Sequence, residues 1–120
     1  MIRAIDMTAA EDHALMATAR RMMMSTAEVP APTEWEHLEI DRASPHVRAG
    51  TWKCEPYTDD MVDYPFDEFM VILSGTITLI YPDGTRDSFG PGSAFLLPQG
   101  FTGTWHQPET VVKYFVMIGR

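Results

Sequence analysis

Three side chains with complementary proton chemistry fall in two short stretches of this chain. DYPFDEFMVILSG, residues 63–75, carries Tyr64 and Glu68, and TVVKYFV, residues 110–116, carries Lys113. A phenol, a carboxylate and an ammonium group are general acid and base candidates if the fold brings them together. In an extended strand successive side chains alternate, so Tyr64, Phe66, Glu68, Met70 and Ile72 share one face. A carboxylate on such an apolar and aromatic face is costly when charged unless a cation or several donors approach it. Lys113, set among β-branched and aromatic residues, is the candidate cation; the competing reading has it on the outer face, snorkelling to water. In GTWHQ (103–107), Gly103, Trp105 and Gln107 share a face and His106 points away. Trp52 and Cys54 share a face in TWKC (51–54), on a side of the sheet that sequence leaves open.

Other chemistries find little support. Cys54 is the single cysteine, so neither an internal disulfide nor a cysteine-based zinc cluster can form, and its expected role is that of a small buried apolar group. Asp59, Asp60 and Asp63 could offer oxygen ligands to a hard cation but read more simply as a solvated acidic loop. The GPG at 90–92 is followed by no P-loop lysine and reads as a turn. No Ser-His-Asp or Cys-His arrangement emerges.

The elements that must hold these residues are short strands. From Trp35 onward, runs of β-branched and aromatic residues alternate with Gly, Pro and Asp punctuation, predicting strands at 36–40, 47–55, 68–81, 86–89, 93–97, 103–107 and 111–118. YPDGT (81–85) predicts a hairpin turn, with Pro82 supplying a fixed φ and Gly84 a positive one. Seven strands in some 85 residues must pack as two sheets or close into a barrel to cover their edges. Before them, residues 1–34 read as an N-terminal arm. Thr8 and Glu11 resemble a capping box, which with Leu15, Ala19, Met22 and Met23 predicts a short helix over 8–24, and the two prolines of STAEVPAPTE (25–34) predict an extended connector. Residues 35–120 then form a single β domain.

Composition bounds the function. A chain of 120 residues is one domain's worth. Seventeen acidic against nine basic side chains give a net charge of −8, which repels phosphate backbones and argues against a nucleic-acid partner. No apolar run approaches the ~20 residues of a membrane helix, and MIRAIDMTAAEDH lacks a signal peptide's apolar stretch, so the expected setting is the cytoplasm, without a membrane partner.

Two segments carry a family likeness. EFMVILSG sets Gly75 six residues beyond Glu68, and GPGSAFLLPQGFTG sets Gly92, Pro98 and Gly100 at characteristic intervals. These resemble the two halves of the cupin signature, G-x5-H-x-H-x(3,4)-E-x6-G and G-x5-P-x-G-x2-H-x3-N. Together with AGTWKCEP and ETVVKYFVM, they are similar to the single-domain cupins related to ureidoglycine aminohydrolase and the ethanolamine-utilisation cupin, over about residues 45–118. The resemblance implies an all-β fold, a cupin-type jelly-roll barrel or antiparallel β-sandwich with a short N-terminal helix or arm, and it turns Glu68 into the barrel. It also implies a site role for Lys113, through the likeness of VVKYFV to the family segment VRKYYV.

The departures from the signature bear on chemistry. The first two histidine places hold Met61 and Asp63, or Val62 and Tyr64 with the shorter spacing, and the last holds Gly103, which leaves space that an imidazole would fill. His13, His37, His46 and His106 fall off the motif and read as surface residues. The expectation is therefore no metal and no other cofactor. The candidate catalytic residues are Glu68, Tyr64 and Lys113, and the candidate ligand-binding residues are Trp105, Met70, Phe66, Gln107 and Trp52. The ligand expected is a small polar metabolite or organic acid, with metal-free isomerisation, elimination or hydrolysis open beside a non-catalytic accessory or sensor role; a metalloenzyme with non-standard ligands trails both. Phe69, Val71 and Leu73 make the opposite face of the Glu68 strand apolar too, which predicts a homodimer or cover from the N-terminal helix.

Overall fold

The computed structural model describes residues 1–10, 19–21 and 32–119. It is an antiparallel two-sheet β structure. The strands are β1 (Ala19–Arg21), β2 (Thr33–Ala43), β3 (His46–Cys54), β4 (Tyr57–Met61), β5 (Phe66–Ser74), β6 (Ile77–Ile80), β7 (Arg86–Phe89), β8 (Ala94–Leu97), β9 (Gly103–Gln107) and β10 (Val111–Gly119). One sheet has the order β1-β2-β3-β10-β5-β8 and the other β4-β9-β6-β7, so chain neighbours repeatedly cross between layers as a jelly roll requires.

Two expectations of the strand map change. The run expected as one strand over 68–81 is two, β5 and β6, belonging to different sheets. The break is Gly75, whose φ is +79° and whose missing Cβ would fall 2.3 Å from the Thr110 carbonyl oxygen, so only glycine lets the chain leave one sheet for the other here. The acidic loop expected around Asp59 is instead strand β4, with Asp59 buried opposite Trp105. Its alternation of Tyr57, Asp59 and Met61 is masked in the sequence by the polar residues between them.

The helix expected over 8–24 is also corrected. Met7–Ala10 forms a single 3-10 turn, with the Asp6 carboxylate accepting from the Thr8 amide at 3.0 Å and its hydroxyl at 2.5 Å, and Ala19–Arg21 is extended, paired with Thr33–Trp35. The backbone groups at the edge of β2 favour strand addition, which overrides helical propensity there. Residues 11–18 and 22–31, with the rest of that helix and most of the connector, lie outside the described residues.

Register sets what each rung of the larger sheet turns inward. Glu36, Trp52, Lys113 and Ile72 form one rung; Leu38, Gly50, Phe115, Met70 and Phe95 the next; Arg48, Met117, Glu68 and Leu97 a third. From the smaller sheet Met61, Trp105 and Leu79 face them and complete the core. Ile72, Ile77, Met70 and Leu97 are shielded almost completely, each contributing on the order of 1.5–3 kcal/mol by leaving water. Among the described residues no helix is long and apolar enough to cross a membrane.

Candidate functional site

Between the sheets lies a cavity of about 210 Å³. At the ~30 Å³ a water occupies in the liquid it holds roughly seven waters, or one small organic molecule. Glu68 stands in its wall. β5 delivers Glu68 inward on the Met117 rung, where it is 2 % exposed, and both carboxylate oxygens are engaged: Tyr64 Oη donates to Oε1 at 2.5 Å and Lys113 Nζ to Oε2 at 2.6 Å.

Lys113 starts two rungs from Glu68, opposite Trp52 and Ile72, and its long side chain spans the intervening Phe115–Met70 rung. On the way its ammonium meets Met70 Sδ at 3.0 Å. Aromatic faces surround it, with ring centroids at 4.6 Å (Trp52), 5.1 Å (Trp105) and 5.9 Å (Phe115). Cation–π attraction in such a desolvated setting adds about 0.5–2 kcal/mol per good contact. The two indoles meet edge to face at 6.5 Å and 88°, a favoured aromatic geometry that fixes each ring against the other.

Tyr64 lies outside regular strand, and the turn at 98–101 positions it. Its amide donates to the Phe101 carbonyl at 2.9 Å and its carbonyl accepts from the Gly100 amide at 2.7 Å. Gln99 pins the flanking residues, its amide donating to Asp67 Oδ1 and its side chain to the Pro65 carbonyl, each at 2.8 Å. The second half of the motif thus places a residue of the first. Burial raises the Tyr64 phenol far above its ordinary pKa, and the adjacent Glu68 charge and hydrogen bond push the same way.

The rest of the wall holds residues that sequence reasoning missed. Trp52 Nε1 donates to Glu34 Oε2 at 3.1 Å, and Arg48 Nη2 donates to Glu36 Oε1 at 2.5 Å. Tyr57, Met61, Phe115 and Met117 complete the lining with Pro65 and Phe66. Usable signals existed: Arg48 shares parity with Trp52, and Phe115 and Met117 share it with Lys113. Glu34 was hidden because β2 starts earlier than its apolar pattern does.

Of the candidates read from sequence, Glu68, Tyr64, Lys113, Trp105, Phe66 and Trp52 line this one cavity. Met70 and Gln107 lie behind its wall. Met70 supports Lys113, while Gln107 accepts from Trp105 Nε1 at 3.0 Å and donates to the Cys54 and Glu55 carbonyls at 3.2 and 2.9 Å, fixing the indole's orientation. Cys54 is fully buried, and desolvation, reinforced by the Glu34 charge, pushes its thiol from 9.0 to about 12.

The residues present do not fit the metal that a cupin barrel commonly holds. Glu68 spends both oxygens on Tyr64 and Lys113, so the nearest cation is an ammonium group. Met61 and Tyr64 point inward where imidazoles would stand, Val62 is exposed and Asp63 occupies a left-handed turn at φ 51°. Gly103 leaves no space for an imidazole, contrary to the reading from sequence: a Cβ there would come 2.6 Å from the Ile80 carbonyl oxygen and 2.9 Å from the Phe101 ring. Among the described residues no group of three or more His, Cys, Asp or Glu side chains is placed to hold an ion. His37 pairs with Glu39, and His106 with Thr58, away from the cavity.

The profile of the EutQ-like cupin domain matches residues 42–115. No curated protein matches the chain. Among solved structures, the EutQ protein of Clostridium difficile is 20 % identical over 82 % of this chain and 75 % of its own, with a TM-score of 0.66. A putative ethanolamine utilization protein Q from Salmonella typhimurium LT2 is 16 % identical over 84 % of this chain and 78 % of its own, also at 0.66. A DUF861-family protein of unknown function from Pseudomonas syringae pv. tomato DC3000 reaches 0.73 at 18 % identity, over 85 % of this chain but 45 % of its own. At these identities the structures speak for the fold, whereas the profile, matching well over half of the sequence, speaks for the family: the chain belongs to the EutQ-like cupins.

Proposed function

We propose that this cupin binds a small polar metabolite or organic acid in the cavity beside Glu68 and does so without a metal. One observation carries the reading: Glu68, the carboxylate retained from the cupin signature, is held by a phenol and an ammonium group instead of standing open beside other ligands. An aromatic-walled cavity with a few convergent polar groups is the usual form of a small-molecule site. The Tyr64–Glu68–Lys113 chain can exchange protons through the carboxylate, which would serve a metal-free isomerisation, elimination or hydrolysis. A binding or sensing role without turnover is favoured by the closed pairing of Glu68, whose two oxygens already accept from Tyr64 and Lys113. Elemental analysis of purified protein should find no stoichiometric transition metal, and one Zn, Fe, Mn, Ni or Cu per chain that is lost on Glu68→Gln overturns the metal-free reading. A thermal-shift screen of small acids, amides and alcohols tests the cavity. A ligand near 100 times its Kd should add about 2.7 kcal/mol of stability, and Lys113→Met should abolish that response.

We also propose that the outer face of the larger sheet receives a second copy of the chain. Val116, Phe69 and Leu96 lie side by side on one outward rung at 39, 46 and 60 % exposure, with Ile118 on the same face at 46 %. A contiguous apolar patch on a sheet face is characteristic of an association surface. Light scattering should give a dimer for the wild type and a folded monomer for Phe69→Lys; a wild-type monomer, or a dimer untouched by the substitution, removes the proposal.

A further inference from the structure

The aromatic donors in the cavity wall are spent on the protein itself, with one exception. Tyr64 Oη donates to Glu68 Oε1, Trp52 Nε1 to Glu34 Oε2 and Trp105 Nε1 to Gln107 Oε1. Each of these groups has a single hydrogen to give, so none is left for a guest. Tyr57 differs. β4 sets it on the inward face with Asp59 and Met61, opposite Gln107 of β9, and it lines the cavity. Its hydroxyl oxygen is shielded from solvent, yet it has no hydrogen-bond partner among the described residues. A hydroxyl buried in this way destabilises the fold, and a phenylalanine would fill the same place without that cost. Burial, and after it the neighbouring Cys54, Tyr64, Asp59 and Glu68, raises the phenol well above its ordinary range, so the group keeps its hydrogen and meets a guest as a donor.

Resting on the reading of this cavity as a ligand site, we infer that the Tyr57 hydroxyl is a ligand-recognition group, and that the ligand is a carbonyl compound whose oxygen accepts from it while the carbon frame packs on the aromatic wall. A carbonyl oxygen is an acceptor alone, whereas a guest hydroxyl brings a further hydrogen that also needs a partner. Because no hydrogen bond pins Tyr57 Oη, a small turn of the ring brings it to the guest, a side-chain adjustment of the kind that commonly accompanies binding. Tyr64 and the two indoles, each fixed by its own bond, hold the shape of the wall while Tyr57 adapts. A donor left unpaired in the folded chain and satisfied on binding exchanges stability for recognition.

The test pairs acetophenone with α-methylstyrene, which keeps the shape and replaces the carbonyl oxygen by a methylene group, each titrated into the full chain by ligand-observed NMR. Tyr57→Phe, which removes the hydroxyl alone, should weaken acetophenone on the order of three- to tenfold, the share of one net hydrogen bond, and leave α-methylstyrene within about twofold. The variant's melting temperature without ligand should equal or exceed that of the wild type. If acetophenone keeps its wild-type affinity, or if both probes weaken alike, the inference falls while the cavity remains a ligand site. A variant that melts lower or fails to fold also overturns it, since the hydroxyl would then have a structural partner. If neither probe binds the wild type, the reading of the cavity falls and the inference with it.

Discussion

Lys113→Met should lower the stability of the folded chain by about 3–5 kcal/mol, the usual cost of removing one partner from a buried ion pair. At about 4 °C per kcal/mol for a domain of this size, the melting temperature drops by roughly 12–20 °C. Methionine refills much of the volume, so the loss reports the stranded Glu68 charge, left with Tyr64 as its donor, more than a cavity. Glu68→Gln should cost less. The amide oxygen can still accept from Lys113, and the ammonium keeps the Trp52, Trp105 and Phe115 faces around it, whereas Glu68 without Lys113 has no comparable second source of charge stabilisation. The double variant should be more stable than the sum of the two losses implies, with a coupling of 1 kcal/mol or more on the order seen for contacting charges. Additive losses, or a Glu68→Gln loss larger than that of Lys113→Met, would mean that the pair does not act as the geometry indicates.

Above pH 9 the stability should fall steeply, and the slope identifies the groups responsible. Burial raises the Cys54 thiol from 9.0 to about 12 and the Tyr64 and Tyr57 phenols upward from 10.0. In the unfolded chain these groups release their protons near pH 9 and 10, while the folded chain retains them. The folded state therefore binds more protons in this window, and stability that is fully present below pH 9 is lost as pH rises. Each group contributes a slope of up to about 1.4 kcal/mol per pH unit once its unfolded form is ionised, so the three together give about 2.6 kcal/mol per unit at pH 10 and approach about 4 near pH 11. The Cys54 share stops growing near pH 12. Denaturant melts between pH 7 and 11 should show a plateau followed by this decline. Tyr64→Phe or Cys54→Val should each remove one group's share of the slope, whatever its effect on the plateau. A wild-type plateau extending past pH 11 would show that these groups ionise freely in the folded state.

The sequence alone determined the fold and the chemistry available to it. Period-two alternation around Glu68, the spacing of Gly75, Gly92, Pro98 and Gly100, and the loss of the motif histidines are local facts, because strand parity and turn conformation depend on neighbouring residues. They placed Tyr64, Phe66 and Glu68 on one face and Trp105 with Gln107 on another. The tertiary structure decided which of those faces meet. Lys113 and Glu68 are 45 positions apart, and their ion pair depends on β10 lying between β3 and β5 in a register that no local pattern encodes. The same pairing turned Trp52 inward, and the β2 register brought Glu34 and Glu36 to the cavity, although Glu34 reads as connector by composition. Gly103 shows the reverse limit: the missing side chain looked like open space in sequence, but the Ile80 carbonyl and the Phe101 ring, supplied by other segments, close it. Parity tells which way a side chain points. What it meets there is set by contacts between strands distant in sequence, because packing depends on every neighbour in space at once.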